Sequence, residues 1–220
     1  MLGWRRVVTL LLLSAFATGV ATQEQYQQGV HYDLIEPPIH TGVSDRVVVT
    51  EFFSYGCGHC FNFEPLLESF ESRLPDRIVV QRTPVIWNNN PGMKLLAKTY
   101  YAAEVLDVVD PVHGAVFNTI HRQRKRLSSP EAVRAVFVEN GVDAKDFDRA
   151  FSSFGIDSMV RQAAARTEGA RVQGTPSLMV NGKYRIDTRQ AGSQANMLKI
   201  AAFLADKELS RLERAANAAD

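Results

Sequence analysis

Cysteine is scarce in this chain. Only two occur in 220 residues, too few for a disulfide-stapled scaffold or a four-thiolate zinc site. Excess charge is missing as well. The chain holds 25 Lys and Arg against 24 Asp and Glu, a formal net charge of +1, which argues against a nucleic-acid binder driven by bulk charge. No sequence repeat, low-complexity linker, phosphate loop, nucleophilic serine triad or pair of catalytic carboxylates stands out. No cysteine lies near the start, so a lipid attached through an N-terminal Cys is excluded. What remains is a globular composition, with 45% hydrophobic and 22% charged residues. That balance excludes wholesale disorder and suits one large domain or two small ones.

The first 21 residues, MLGWRRVVTLLLLSAFATGVA, carry Arg5 and Arg6, then an apolar run, then small residues. This is the order of a secretory signal peptide, with cleavage expected after Ala17 or Ala21. The strongly apolar part is too short to span a bilayer comfortably as an uncleaved anchor. Removing residues 1–21 takes two of the 25 basic residues and no acidic one, so 23 face 24 and the mature chain is slightly acidic. Export places the cysteines in an oxidising compartment, where a disulfide persists.

The mature chain reads as strand, helix, strand, then a helical block, then a hairpin and a last helix. A short strand is expected near Tyr32–Ile35, ahead of Pro37-Pro38. Val47–Tyr55 is β-branched and aromatic without strict alternation, the pattern of a strand buried on both faces. Phe63, Leu66, Leu67, Phe70 and Leu74 follow with helical spacing, which predicts an amphipathic helix ended by Pro75-Asp76. Ile78–Trp87 reads as the next strand. Asn90-Pro91, Asp110-Pro111 and Ser129-Pro130 each pair a capping side chain with a proline suited to the first helical position, and Asp143 marks a weaker start. Asn140-Gly141 is a helix stop. Asn181-Gly182 between two short apolar runs predicts a tight hairpin. Met197, Ile200, Ala201 and Leu204 mark the last helix. The expected organisation is a signal peptide over 1–21, an α/β domain over 22–90 and 169–220, and an inserted helical domain over 91–168.

The two cysteines stand at Cys57-Gly58-His59-Cys60, where the first strand feeds the helix. A structural disulfide would close a tiny loop and stabilise little. Half a zinc site would need two more ligands, and His31, His40, His113 and His121 show no metal-ligand spacing with the pair. A redox role has a positive reason. The helix N-terminus presents unpaired N–H groups and the positive end of its dipole to Cys57, which favours the thiolate, the reactive species. An offset of three puts Cys60 on the same face, within disulfide range. His59 is placed to donate a hydrogen bond or hold positive charge near the Cys57 sulfur. Stabilising that thiolate makes the disulfide a stronger oxidant. Gly58 leaves the junction open to a partner chain.

Residues 51–60, EFFSYGCGHC, and 172–184, VQGTPSLMVNGKY, resemble the two signatures of the DsbA family of bacterial periplasmic disulfide oxidoreductases. The resemblance covers nearly all of the mature chain, and it implies a thioredoxin-like α/β fold with an inserted helical domain. A strongly acidified first cysteine is a known property of that family, so it is here an implication of the resemblance. Cys57 and Cys60 would be the redox-active pair, and Thr175-Pro176 the cis-proline loop facing it, presenting backbone to an extended substrate. Glu51, in the middle of an apolar run, would be buried and would influence proton transfer at Cys60. The matching base position holds Arg82, where a lysine is commoner; arginine does not release its proton, so a structural ion pair is the other reading of Glu51 with Arg82. Glu64 matches a position often acidic in the family, though a solvated face is the plainer reading. The run His121-Arg122-Gln123-Arg124-Lys125-Arg126 reads as a solvated helix end or, less simply, a docking patch for an acidic partner.

The implied partners are newly exported or unfolded proteins with free thiols and the quinone-linked membrane reoxidase DsbB. No organic cofactor, metal or nucleic acid is called for. The dipeptide is Gly-His where the best-known members have Pro-His. Gly-His resembles protein disulfide isomerase, so a reductase or isomerase of the same fold stays open, as does a binding or chaperone module with an incidental disulfide.

Overall fold

The computed structural model describes residues 25–218; the expected signal segment lies outside them. A five-stranded mixed sheet in the order β1-β5-β4-β2-β3 carries the site. Its strands are β1 (Asp33–Leu34), β2 (Val47–Phe53), β3 (Ile78–Pro84), β4 (Ser177–Val180) and β5 (Tyr184–Asp187). β2 pairs parallel with β3 and antiparallel with β4. Every residue of β2 is buried, as its unalternating sequence predicts for a central strand. β2 and β3 are each shorter than expected, since Tyr55 and Trp87 fall in the turns that follow.

Successive strand residues point to opposite faces. Val47, Val49, Glu51 and Phe53 therefore share one face of β2. Helix α1 (Gly58–Glu71) lies over that face, and Val47 and Val49 pack with its Phe63, Leu67 and Phe70. The helix is shorter than the apolar spacing suggests. It ends at Ser72, not at Pro75, and Leu74 lies beyond it. Leu66 is 39% exposed, so it stands off the buried stripe. Pro65 is accommodated inside the helix.

Between β3 and β4 run α2 (Pro91–Val105), α3 (Val109–His121), α4 (Pro130–Glu139), α5 (Ala144–Phe151) and α6 (Phe154–Gly169). Asn90, Ser129 and Asp143 cap α2, α4 and α5 through their side chains, as expected. Asp110 does not cap α3. That helix begins two residues earlier, after an uncapped Val108, and Asp110 sits in its first turn, where a carboxylate complements the dipole. The helical block closes a second core around Phe53, Tyr55, Phe117, Phe137 and Ile156.

After β4, Asn181 and Gly182 turn with φ of 49° and 69°, a left-handed pair typical of tight hairpins, and Lys183 completes the connection before Tyr184 pairs with Val180. A short helix α7 (Thr188–Ala191) and the long α8 (Gln194–Asn217) end the described chain. α8 buries Met197, Ile200, Ala201 and Leu204 against the sheet, as its periodicity predicts.

Candidate active site

Cys57 is the N-cap of α1, and the first helical residues are Gly58, His59 and Cys60. The strand delivers the thiol to the place where the helix has unpaired donors. The Cys60 N–H donates to Cys57 Sγ at 3.4 Å, and the Cys57 thiol reaches Thr175 O at 3.4 Å. Thr175-Pro176 is a cis peptide, and this loop, 118 residues away in sequence, faces the cysteine as the resemblance implies. Both cysteines are free thiols; Cys57 is half-buried and Cys60 buried.

The two thiols are driven apart chemically. The neighbouring Cys60 thiol, the Thr175 side chain and the N–H groups of Cys60 and His59 together overcome burial and lower Cys57 to about 5. Burial first, then the Cys57 thiol and the Glu51 carboxyl, push Cys60 far up. The His59 ring is exposed and lines a groove. It is the His59 main chain that faces the sulfur, while the His59 carbonyl accepts from Gln194 of α8 at 2.7 Å.

Below the pair lies a row of buried charges. Glu51 is 0% exposed, as expected for its place in β2. Glu51 and Arg82 are register partners on adjacent parallel strands, with Arg82 Nε 3.6 Å from Glu51 Oε2. Neither Glu51 oxygen has a hydrogen-bond partner among the described residues. Burial and then the nearby Glu64 push its carboxyl well above the usual range, against the pull of Arg82. Arg82 also reaches Glu64 Oε2 at 3.3 Å and Glu71 Oε2 at 3.6 Å.

Glu64 does not lie on a solvated face. It is buried on the side of α1 that meets β3 and α3, because seven residues, about two helical turns, carry it inward from Cys57. Burial pushes Glu64 up, but His113 and then Arg82 outweigh it and hold the carboxyl below its ordinary value. His113 Nε2 lies 3.2 Å from Glu64 Oε1. His113 shows no metal-ligand spacing, and nothing in its place along the chain announces this contact. Among the described residues no three His, Cys, Asp or Glu side chains are grouped as a metal ion would require.

The basic run after α3 divides. His121 is not part of a purely solvated end: its ring stacks on Phe61 at 5.2 Å and 14°, and Nε2–H donates to Tyr55 O at 2.8 Å. Arg122 lies over the same Phe61 ring at 5.5 Å. The other face of the cysteine turn borders two recesses. A groove of ≈ 680 Å³ runs between His59, Gln173, Thr175, Ser177, Thr188 and Gln194. A second recess of ≈ 470 Å³ beside Cys57 is walled by Trp87, Met93, Leu96 and Leu127.

Residues 48–199 match the family model described as a DSBA-like thioredoxin domain. The thiol:disulfide interchange protein DsbA of Pseudomonas aeruginosa is 33% identical over 207 residues, covering 92% of this chain and 95% of that protein. The protein of the same name from Bordetella pertussis is 35% identical over 194 residues, covering 86% and 91%. The crystal structure of Pseudomonas aeruginosa DsbA superposes with a TM-score of 0.81 at 31% identity, over 86% of this chain and 97% of that one. The match spans sheet, helical block and cysteine turn together, and the chain therefore belongs to the DsbA-like thioredoxin-domain family of thiol:disulfide oxidoreductases.

Proposed function

We propose that this chain is a periplasmic oxidoreductase that introduces disulfides into newly exported proteins by exchange at Cys57–Cys60. The observation that carries the reading is the opposed pair of thiols, Cys57 lowered to about 5 and Cys60 buried and held protonated. A low-pKa thiol is the better leaving group, and its stable thiolate favours the reduced pair, so the disulfide form oxidises.

In the disulfide form, a substrate thiolate attacks Cys57 Sγ. The new bond joins substrate sulfur to Cys57, the Cys57–Cys60 bond breaks, and Cys60 leaves and takes up a proton. Glu51, held protonated on the strand below, is the group we place to supply that proton. A second substrate thiolate then attacks the substrate sulfur of the mixed disulfide and expels Cys57 as its stabilised thiolate. Two electrons pass from substrate to enzyme, and the substrate gains one disulfide. Thr175 presents its backbone beside the reacting sulfur, and the groove next to it suits an extended chain lying as an added strand. Return to the disulfide needs an oxidant, which we assign to a quinone-linked membrane partner of the DsbB type.

Gly58 favours a second reading. A Gly-His dipeptide, as in protein disulfide isomerase, poises the pair for isomerisation as well as oxidation. Cys57→Ala separates catalysis from mere binding: oxidation of a reduced, unfolded thiol protein is expected to fall to the uncatalysed rate. Oxidation persisting at the wild-type rate would refute the catalytic role.

A further inference from the structure

Helix α3 grips the cysteine turn at two points. His113 Nδ1 lies 2.7 Å from Tyr55 Oη, and His121, eight residues on and so about two turns along the same face, donates to Tyr55 O at 2.8 Å. Tyr55 precedes Cys57 by two residues, inside the turn that the Cys57 N–H closes on Ser54 O at 2.9 Å. His113 is buried edge-on to Phe53, Tyr100 and Phe117. Such a site holds the ring rigidly and leaves it few polar neighbours.

The proton count fixes the ring's orientation toward Glu64. Burial keeps the Tyr55 phenol protonated, and among the described residues its hydroxyl has one hydrogen-bond partner, His113 Nδ1. A buried hydroxyl gives its hydrogen to the acceptor available. In the neutral ring the remaining proton is then on Nε2, and in the charged ring Nε2 keeps it. Either way Nε2 carries its proton 3.2 Å from Glu64 Oε1, a close charge contact without the alignment of a regular hydrogen bond, while the other Glu64 oxygen meets Arg82 at 3.3 Å.

We propose that His113 is a positioning residue of the exchange reaction: locked by Tyr55, its Nε2–H holds the Glu64 carboxylate on Arg82, so that Arg82 is shared with Glu64 instead of being given over to Glu51. The proposal rests on the reading that the ionisation of Glu51 governs proton transfer at Cys60. The charged and titratable groups around this network are Glu51 on β2, Arg82 on β3, Glu64, Glu68 and Glu71 on α1, Asp110 on α3, Tyr55, Tyr100 and the two cysteines. A cleft of ≈ 430 Å³ lined by Glu68, Glu71, Arg82, Asp110 and His113 opens the outer end of the network to solvent.

Without the His113 donor, Glu64 takes up a proton more readily, Arg82 turns to Glu51, and Glu51 ionises at lower pH. The test is the Glu51 carboxyl titration, followed by carbon NMR in the reduced protein, alongside the pH profile of thiol-peptide oxidation. His113→Phe should lower both midpoints by about 1 unit, the scale of losing one close charge contact at a buried carboxylate. His113→Gln, which still offers an N–H, should recover more than half of that shift. Tyr55→Phe, which only frees the ring to choose its other tautomer, should move both midpoints the same way by less. Midpoints equal to wild type in the folded variants would overturn the proposal; should His113→Phe not fold, the Tyr55→Phe midpoint decides. A wild-type protein that fails to oxidise the peptide would instead overturn the functional reading, and the NMR titration would still test the network.

Discussion

Two thiols three residues apart meet opposite environments because a helix begins between them. Cys57 caps α1 and collects N–H donors; Cys60 has turned inward and lost water. In the reduced protein, the folded-state pKa of Cys57, about 5, lies below that of an unfolded thiol, ~8.5. The stability this gives the reduced form is fully present above the unfolded value and lost as pH falls through about 5. Ultraviolet thiolate absorbance of the reduced protein should therefore titrate with a midpoint near 5. A midpoint at or above the unfolded value would contradict this assignment. At this scale the sequence was informative where a residue's neighbours are local. Glu51 shows its burial through the apolar run around it, and Cys57 shows its place through the strand before it. Glu64 and His113 gave no such sign, because they are buried where α1 and α3 meet, and those helices are far apart in sequence.

At the scale of elements, most boundaries follow from short signals. Asn90, Ser129 and Asp143 cap helices because each follows extended backbone and frees a side-chain oxygen for the first turn. Asp110 misleads because α3 starts after a left-handed Asp107 and so reaches Asp110 already helical. Leu66 and Leu74 fit a helical stripe in spacing, yet Leu66 stands exposed on α1 and the helix stops before Leu74. The Asn181-Gly182 turn was legible, but the reason glycine is needed was not. A Cβ at Gly182 would stand 1.8 Å from the Ile39 carbonyl oxygen, where the N-terminal segment crosses the hairpin and Ile39 N–H bonds to Gly182 O at 2.9 Å. Gly182→Ala should cost about 1–3 kcal/mol through this clash and the positive φ, measured by denaturant unfolding. Unchanged unfolding would show that the crossing segment is not anchored there.

At the scale of the whole molecule, the sheet supplies the thiol and its buried acid, while the helical block supplies the walls and the histidines that hold the turn. The strand-helix-strand opening and the closing hairpin were legible because each is local. How α3 folds back over Tyr55 was not, because it depends on packing of Phe53, Tyr55 and Phe117 between segments far apart in sequence. The basic run shows the same limit: its charges mark a helix end, but only the fold puts His121 on the cysteine turn. With two cysteines in the chain, the pair has no internal thiol to mispair with, and its chemistry reduces to one equilibrium. The redox midpoint of Cys57–Cys60, measured against a glutathione buffer, tests the account most directly. A thiolate stabilised by the helix N-terminus predicts a midpoint at least as oxidising as the ~−180 mV of protein disulfide isomerase; one near the ~−270 mV of thioredoxin would contradict it.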